Sequence, residues 1–259
     1  MAHVACLMVS LPVGERFAFL RNSVADWRRQ THAERSLVIV LDPRAGEARA
    51  RVRTFVAELG DPSIRLVEPE GEPSLGALRN LSLAEAGADI VCQWDDDDRS
   101  HPARLAAQLD ALARGDGEAV YLQDVMQHFP REGAMAWTNW KATPAGGHPG
   151  TLMARRAPAL RYPETGEEAR RGEDLAVARA LIARGAVGYV AEKPWLYVYA
   201  SHGANTWSEG HHRMLADELS ISRGLLRRRE KEVREGLAPF GFAPGAIEVR
   251  GRNGPAFTL

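Results

Sequence analysis

Cysteine is scarce in this chain of 259 residues, because Cys6 and Cys92 are the only two and each lies in a short apolar run. Disulfide scaffolds and most zinc sites need larger sets of cysteines at regular spacings. The late histidines His202, His211 and His212 have no cysteine or glutamate at a recognisable zinc spacing. We therefore exclude a disulfide framework and a zinc centre, and we expect two buried thiols in a reducing compartment.

Long apolar runs and net charge are also missing. No run approaches the roughly 20 residues that span a bilayer. The 33 Lys and Arg residues balance 34 Asp and Glu residues, which leaves a net charge of −1. Bulk charge therefore gives no reason to expect nucleic acid or anionic lipid as a partner. The N-terminal segment lacks the basic flank and cleavage site of a signal peptide, so we expect a soluble cytoplasmic protein.

The first two-fifths of the chain alternates apolar runs of strand length with helical patterns. The predicted strands are 4–9, 37–41, 64–67 and 90–94, and the helices between them contain 17–27, 52–59 and 75–86. Continuous apolar strands separated by helices predict a mainly parallel sheet that is covered on both faces. The fold class is therefore an α/β sandwich, with its ligand site beyond the carboxyl ends of the strands.

The pattern loosens after residue 100. It predicts a helix at 105–112, a strand at 119–122, irregular hairpins and loops at 123–149, and a return to the sheet at 151–154. A helix at 173–184 and strands near 187–190 and 195–199 follow, and then one strongly charged helix over 208–235. Its basic stripe, 223–234, could lie on anionic lipid. The interspersed glutamates favour a solvated helix or a homodimer contact instead.

Four consecutive carboxylates, Asp95–Asp98, follow the fourth predicted strand. A turn in which Asp98 or Ser100 caps the next helix would use only one of them. A divalent cation would neutralise the others, and carboxylate oxygens suit Mg²⁺ or Mn²⁺. Because the cluster lies at the carboxyl edge of the sheet, it predicts metal-assisted chemistry on a phosphate-bearing ligand.

Four motifs stand in order along residues 4–210. They are Leu75-Gly76-x-x-Arg79-Asn80, an apolar strand with Asp-x-Asp-Asp and then His101-Pro102-x-Arg104-Leu105 and Gln108, Gly172-Glu173-Asp174, and Ser201-His202-Gly203-Ala204-Asn205-Thr206-Trp207. In this order they resemble family 2 glycosyltransferases. The resemblance implies a three-layer α/β/α sandwich of the GT-A type with a C-terminal helical appendage. The catalytic domain would be 1–210, with a donor half at about 1–100 and an acceptor half at about 101–210, and 211–259 would form a C-terminal helix and tail.

The same resemblance implies a metal-dependent glycosyltransferase with a DXD motif, active in polysaccharide biosynthesis. It would move a sugar from a nucleoside diphosphate donor, preferably a UDP-sugar, to the hydroxyl of a carbohydrate or other acceptor, with inversion. Asp97, Asp95 and His202 would hold Mn²⁺ or Mg²⁺. Asp95 would also touch the ribose or nucleotide, and Asp96 would assist. An ordinary loop histidine is the other interpretation of His202.

Three further residues are placed on the donor by the resemblance. Arg79 would approach the diphosphate or the base, although a helix-surface arginine is an equal alternative. Asp42 lies where the family has a base-contacting acid, but Pro43 replaces the second Asp that usually follows, so the nucleotide stays open. Pro12, after the first strand, joins them as a substrate contact.

Asp174 is the predicted catalytic base. An inverting transfer needs a group that takes the proton of the attacking acceptor hydroxyl, and a nearby carboxylate can do this. Glu173 and Asp174 follow Gly172 at the start of a helix, and Glu173 is placed with the substrate-binding residues. Two acids that merely complement the helix dipole are the alternative.

The sequence also offers candidate residues for the acceptor side and two alternative functions. Trp137, Trp140 and His148 would line the acceptor side, but both tryptophans could fill a core instead, and His148 could belong to a tight turn. A sugar-phosphate nucleotidyltransferase would use a glycine-rich basic loop after the first strand, whereas residues 12–16 contain one glycine and an acid. A non-catalytic nucleotide-sugar-binding protein on the same fold is the third possibility.

Overall fold

The computed structural model describes residues 2–115, 117–185 and 187–259. Within these residues the helices are α1 (Arg16–Arg28), α2 (Ala48–Leu59), α3 (Leu75–Glu85), α4 (Arg104–Arg114), α5 (Glu173–Ala183), α6 (Glu209–Leu219), α7 (Arg223–Arg228) and α8 (Glu230–Leu237). The strands are β1 (Val4–Ser10), β2 (Arg35–Leu41), β3 (Ile64–Val67), β4 (Ile90–Gln93), β5 (Arg99–Ser100), β6 (Ala119–Leu122), β7 (Asp124–Phe129), β8 (Ala134–Asn139), β9 (Met153–Arg155), β10 (Val187–Val190), β11 (Tyr197–Ala200), β12 (Glu248–Gly251) and β13 (Gly254–Thr258). Among the described helices, none has the length and apolar character needed to cross a membrane.

The central sheet has seven strands in the order β10-β6-β9-β4-β1-β2-β3. Strands β1 to β4 pair in parallel, as do β6 and β10, while β9 runs antiparallel to β4 and β6. Because successive side chains of a strand point to opposite faces, a continuous apolar strand such as β1 fills a core on each side. The mainly parallel sheet predicted from the apolar runs is confirmed, and 153–155 returns to it as expected.

Helices cover both faces of this sheet. Leu20 and Trp27 of α1, together with residues of α2 and α4, pack on one face against alternate side chains of β1 and β2. Leu78 of α3 and Leu181 of α5 pack on the other face. The three-layer α/β/α sandwich is therefore confirmed, and the carboxyl ends of β1 and β4 meet at one edge.

A second sheet replaces the irregular region predicted at 123–149. Its order is β13-β12-β8-β7-β11-β5, and β7 and β8 form a regular antiparallel hairpin. Gly133 closes the hairpin with φ +58°, and a Cβ there would lie 2.8 Å from the carbonyl oxygen of Ala246. Polar and apolar residues mix along β7 and β8, so no continuous apolar run marks these strands in the sequence.

The C-terminal segment is helical, but the single helix predicted over 208–235 is wrong. Residues 209–237 form α6, α7 and α8, and β12 and β13 follow and join the second sheet. The helix breaks after Leu219 because the backbone N–H of Ile221 donates to the carbonyl of Trp137 in β8 at 3.1 Å. Ser222 then caps α7 by accepting from the N–H of Leu225. A domain boundary at residue 210 stays a prediction.

Candidate active site

A cavity of about 390 Å³ opens where β1 and β4 end. Eight of the residues that the sequence assigns to the site line it: Arg79, Asp95, Asp96, Asp97, Trp140, His148, Glu173 and Asp174. They come from both sides of residue 100, so the predicted donor and acceptor halves face the same space. His202 joins the site through a hydrogen bond between its Nε2 and Asp97 Oδ2, at 3.0 Å.

Asp96 is buried between two donors. Its carboxylate accepts from Ser10 Oγ at 2.5 Å and from Arg16 Nη2 at 2.9 Å. Burial and the charge of Asp97 raise the pKa of Asp96 to about 6, although Arg16 and Ser10 act to lower it. Asp96 therefore lies at the junction of β1, α1 and the acidic cluster, and its assistance to the metal site stays a prediction.

Asp97 is the carboxylate that contacts the loop carrying His202. Its Oδ2 accepts from His202, and Arg16 Nη2 lies 3.3 Å from the same oxygen. Burial acts to raise the pKa of Asp97, but the hydrogen bond from His202 and the charge of Arg16 outweigh it and hold the pKa below its usual range. Asp97 is therefore held in its anionic form.

Asp98 fixes β11 rather than capping a helix. It accepts from Tyr197 Oη and from the backbone N–H of Ala200 at 2.7 Å. Burial, followed by the charges of its aspartate neighbours, raises the pKa of Asp98 well above its usual range. Helix α4 begins after Ala103 without a side-chain cap. The capping explanation of the cluster is therefore wrong.

Arg79 is buried and joins two parts of the site. Its Nη2 donates to Asp95 Oδ1 at 3.0 Å, and its Nε donates to Glu173 Oε1 at 2.8 Å. Although burial acts to lower it, the charges of Asp95 and Glu173 raise the pKa of Arg79 well above its ordinary value. The surface alternative for Arg79 is wrong, and its contact with a diphosphate or base stays a prediction. This Asp95–Arg79–Glu173 bridge ties the acidic cluster to the start of α5.

Gly76 brings α3 close enough for this bridge. Its N–H donates to the carbonyl of Ala169 at 2.9 Å. A Cβ at this position would lie 1.8 Å from the carbonyl oxygen of Pro163, so a side chain would push α3 away from the segment that leads into α5.

Replacing Arg79 by methionine should lower the free energy of unfolding by about 3–5 kcal/mol, because Asp95 and Glu173 would keep buried charges without their shared cation. Urea denaturation measures the loss. The control is Arg114→Met, since Arg114 forms an exposed pair with Asp110 on α4 and should change stability by less than about 1 kcal/mol. An equally small change for R79M would contradict the bridge.

Asp174 lies in the first turn of α5, beside the bridge. Its Oδ1 accepts from the N–H of Leu175 at 2.7 Å. Burial and the charge of Glu173 raise the pKa of Asp174 to about 7, and Arg79 offsets them only in part. Acids that merely complement a helix dipole have lowered pKa values. The raised pKa favours a proton acceptor that works near neutral pH.

Rings line another part of the cavity. The centroid of the His148 ring lies 4.6 Å from that of Trp140 and 4.9 Å from that of Tyr199. Burial, with the charge of Arg104, lowers the pKa of His148 to about 3. Its Nδ1 is buried and has no hydrogen-bond partner in the described part of the chain. His148 lines the cavity, and its unpaired ring nitrogen is a hydrogen-bonding group that a ligand hydroxyl can use. Trp137, by contrast, is buried against Met126 and Val198 in the hydrophobic core of the second sheet, as its alternative predicted.

Two predicted donor contacts are absent from the described lining of the cavity, Pro12 and Asp42. Asp42 accepts from Arg44 Nε at 2.9 Å and caps the short 3₁₀ helix Pro43–Ala45. The proline that replaces the family's second acid thus starts a local turn. For both residues, contact with the donor stays a prediction.

Sequence reasoning missed Arg16, Tyr199 and the cavity role of Trp207. A signal for Arg16 was present, because it begins the helix after β1, and such positions lie at the carboxyl edge of a parallel sheet. Tyr199 lies two residues after Tyr197 on β11, the strand that leads to His202.

The protein atoms available to a metal ion at this site fit a cation that takes its remaining ligands from a bound substrate. No group of three His, Cys, Asp or Glu side chains in the described ranges is arranged to hold a metal ion by itself. Mg²⁺ at phosphates commonly uses one or two carboxylates and completes its shell with substrate oxygens and water. Asp97 Oδ2 fits such a role, whereas His202 Nε2 donates to that oxygen here and would have to release its proton before it could bind a metal ion. Asp95 has its oxygens on Arg79 and Gln93, so its place as a ligand stays a prediction.

Comparison with known proteins gives a consistent result. The model of the family described as glycosyl transferase family 2 matches residues 9–164, more than half of the chain. The search of curated proteins gives no match. S. aureus TarS 1–349 in complex with UDP-GlcNAc is 13% identical, with 92% of this chain and 71% of that chain covered and a TM-score of 0.59. Mannosyltransferase PcManGT from Pyrobaculum calidifontis in complex with GDP-Man and Mn²⁺ is 16% identical, with 92% and 68% covered and a TM-score of 0.58. These structures support the GT-A type of fold.

Proposed function

Because the chain belongs to glycosyl transferase family 2, we propose that it transfers a sugar from a nucleoside diphosphate donor to an acceptor hydroxyl, with inversion and with the help of a divalent cation. The observation that carries the proposal is the buried Asp95–Arg79–Glu173 bridge. It holds the acidic cluster and Asp174 on one cavity, so a diphosphate-binding end and a proton acceptor face the same space.

Asp174 is the general base in this reaction. The acceptor oxygen attacks the anomeric carbon from the side opposite the nucleotide, and its proton passes to the Asp174 carboxylate. The bond from the anomeric carbon to the diphosphate oxygen breaks with its electron pair on that oxygen. A pKa of about 7 suits the carboxylate for accepting a proton near neutral pH.

Asp97 and His202 would hold the divalent cation, whose chemistry is to offset the charge that develops on the leaving diphosphate. The low pKa of Asp97 supports this role, because the carboxylate stays anionic. Arg79 and Asp95 keep the adjoining backbone in place through the bridge.

Trp140, His148 and Tyr199 would bind a sugar. Aromatic faces pack against the apolar face of a sugar ring, and the unpartnered Nδ1 of His148 suits one of its hydroxyls. UDP and GDP are the first nucleotides to test, because TarS was solved with UDP and the mannosyltransferase with GDP-Man.

The test is transfer from UDP-, GDP- and dTDP-sugars to a panel of mono- and disaccharides in the presence of Mg²⁺. Release of nucleoside diphosphate reports turnover, and proton NMR of the product reads the anomeric configuration. Samples with EDTA control for the cation. We expect inverted product from one donor class and none with EDTA. A product that retains the donor configuration would contradict the proposed mechanism.

The pH dependence of kcat/KM should follow Asp174. A general base must be deprotonated, and the pKa of Asp174 is raised to about 7, so kcat/KM should rise as the pH increases through about 7 and then level off. Asp96, with a pKa of about 6, titrates earlier. Donor affinity measured at each pH separates binding from catalysis. A flat profile between about pH 6 and 8 would place the base elsewhere.

A further inference from the structure

Arg16 extends from the start of α1 into the acidic cluster. Its Nη2 lies 2.9 Å from Asp96 Oδ1 and 3.3 Å from Asp97 Oδ2. Its Nη1 donates to the carbonyl of Ala204 at 3.0 Å, in the loop that carries His202. One guanidinium therefore joins α1, two of the four aspartates and the late loop.

Asp97 Oδ2 is the atom where these contacts meet, because it faces both Arg16 and His202 Nε2. The other ring nitrogen of His202, Nδ1, accepts from the N–H of Ala204 at 3.3 Å. In the neutral ring the proton is then on Nε2, the nitrogen that faces Asp97. A hydrogen bond from His202 and an ion pair with Arg16 thus occupy the oxygen on which the proposed cation depends.

A divalent cation on Asp97 Oδ2 would meet the positive charge of Arg16 at the same oxygen. Metal–oxygen distances of about 2.0–2.2 Å are shorter than hydrogen bonds, so cation and guanidinium would stand side by side. Two positive charges at that separation repel strongly in a partly buried site. This repulsion disfavours binding of both positive groups at Asp97 Oδ2 at the same time.

We propose that Arg16 competes with the divalent cation for Asp97, and that it turns to the donor diphosphate when the cation binds. This inference rests on the proposed function. Arg16 lines the cavity, and its Nε is buried without a partner in the described part of the chain. A guanidinium has five N–H donors in a planar fork that matches phosphate oxygens. Arg16 is thus a donor-binding residue that sets the affinity for the metal.

The variant Arg16→Gln separates this role from a structural one, because its two expected effects have opposite signs. Affinity for Mn²⁺ without nucleotide, read from the electron paramagnetic resonance signal of free Mn²⁺, should rise by about tenfold or more, since a competing charge is removed. Affinity for UDP or GDP at saturating Mn²⁺, measured by calorimetry, should fall by about tenfold, since a charged phosphate contact is lost.

Two controls accompany it. Arg16→Lys keeps the competing charge without the planar fork, so its affinity for Mn²⁺ should stay close to that of the wild type. Arg28→Gln removes an exposed charge from the other end of α1 and should change neither affinity.

A loss of both affinities in R16Q would mean that Arg16 only supports the structure, and this would overturn the inference. Equal Mn²⁺ affinity in R16Q and the wild type, including no binding by either, would overturn it as well. Failure of the proposed function gives a different result, namely a folded wild type that binds neither UDP nor GDP at any Mn²⁺ concentration.

Discussion

Asp174→Asn should lower kcat by about 10²–10⁴-fold, the range that general bases contribute. Affinity for the donor nucleotide should stay within about twofold of the wild type, because the change removes a step in catalysis and not a binding contact. The amide keeps the shape of the side chain but cannot take the acceptor proton. The raised pKa of Asp174, about 7, is the observation that this expectation rests on.

Glu230→Gln is the matched control for this variant. Glu230 is an acid in the first turn of α8 and pairs with Arg234 at 2.7 Å. Both variants remove a carboxylate from a helix N-terminus, so a loss shared by both would favour the dipole explanation. Turnover that survives in D174N would contradict its role as the base.

Asp97→Asn should reduce transfer by about 100-fold or more, since a metal ion at the leaving group contributes several kcal/mol to the transition state. The Mn²⁺-dependent part of nucleotide affinity should disappear with it, because Asp97 is the anionic carboxylate shared by His202 and Arg16. Calorimetry with and without Mn²⁺ measures this part directly.

Asp110→Asn serves as the control for charge, because Asp110 forms an exposed pair on α4. We expect it to leave both turnover and the effect of Mn²⁺ unchanged. Normal Mn²⁺-dependent binding by D97N would remove Asp97 from the metal site. Circular dichroism of each variant checks that the fold is retained.

The central sheet could be predicted because its strands are local and apolar. Residues of β1, such as Val4 and Met8, are buried on a strand that helices cover on both faces, and such strands give continuous apolar runs. The second sheet depends on remote pairing. Val249 in β12 lies beside Met135 in β8, and no local sequence pattern predicts a contact between residues so far apart in the chain.

For the candidate site, too, the local features could be predicted from the sequence and the remote contacts could not. The position of the carboxylates Asp95–Asp98 at the end of β4 followed from the apolar run before them, and the cavity lies there. Their partners did not follow, because Arg79 reaches Glu173 across 94 residues of sequence, and Arg16 reaches Asp96 across 80. Tertiary packing therefore decides which carboxylate is bridged by Arg79, which is paired with Arg16 and which stays available to a ligand.

Glu173 was predicted to contact the substrate, but in the structure it pairs with Arg79 in the bridge. Its carboxylate is buried against Arg79, and after burial its charge is the next cause of the raised pKa of Asp174. Substrate contact by Glu173 stays a prediction, whereas its electrostatic effect on the neighbouring residue follows from the geometry.

The most direct test of a metal-assisted nucleotide-sugar site is calorimetric titration of the purified chain with UDP, GDP and dTDP, each with and without Mn²⁺. We predict tight binding of one nucleotide in the presence of Mn²⁺ and much weaker binding in its absence, because Asp97 and His202 would hold the cation together with the diphosphate. Absence of binding by the folded protein under both conditions would contradict the proposed function.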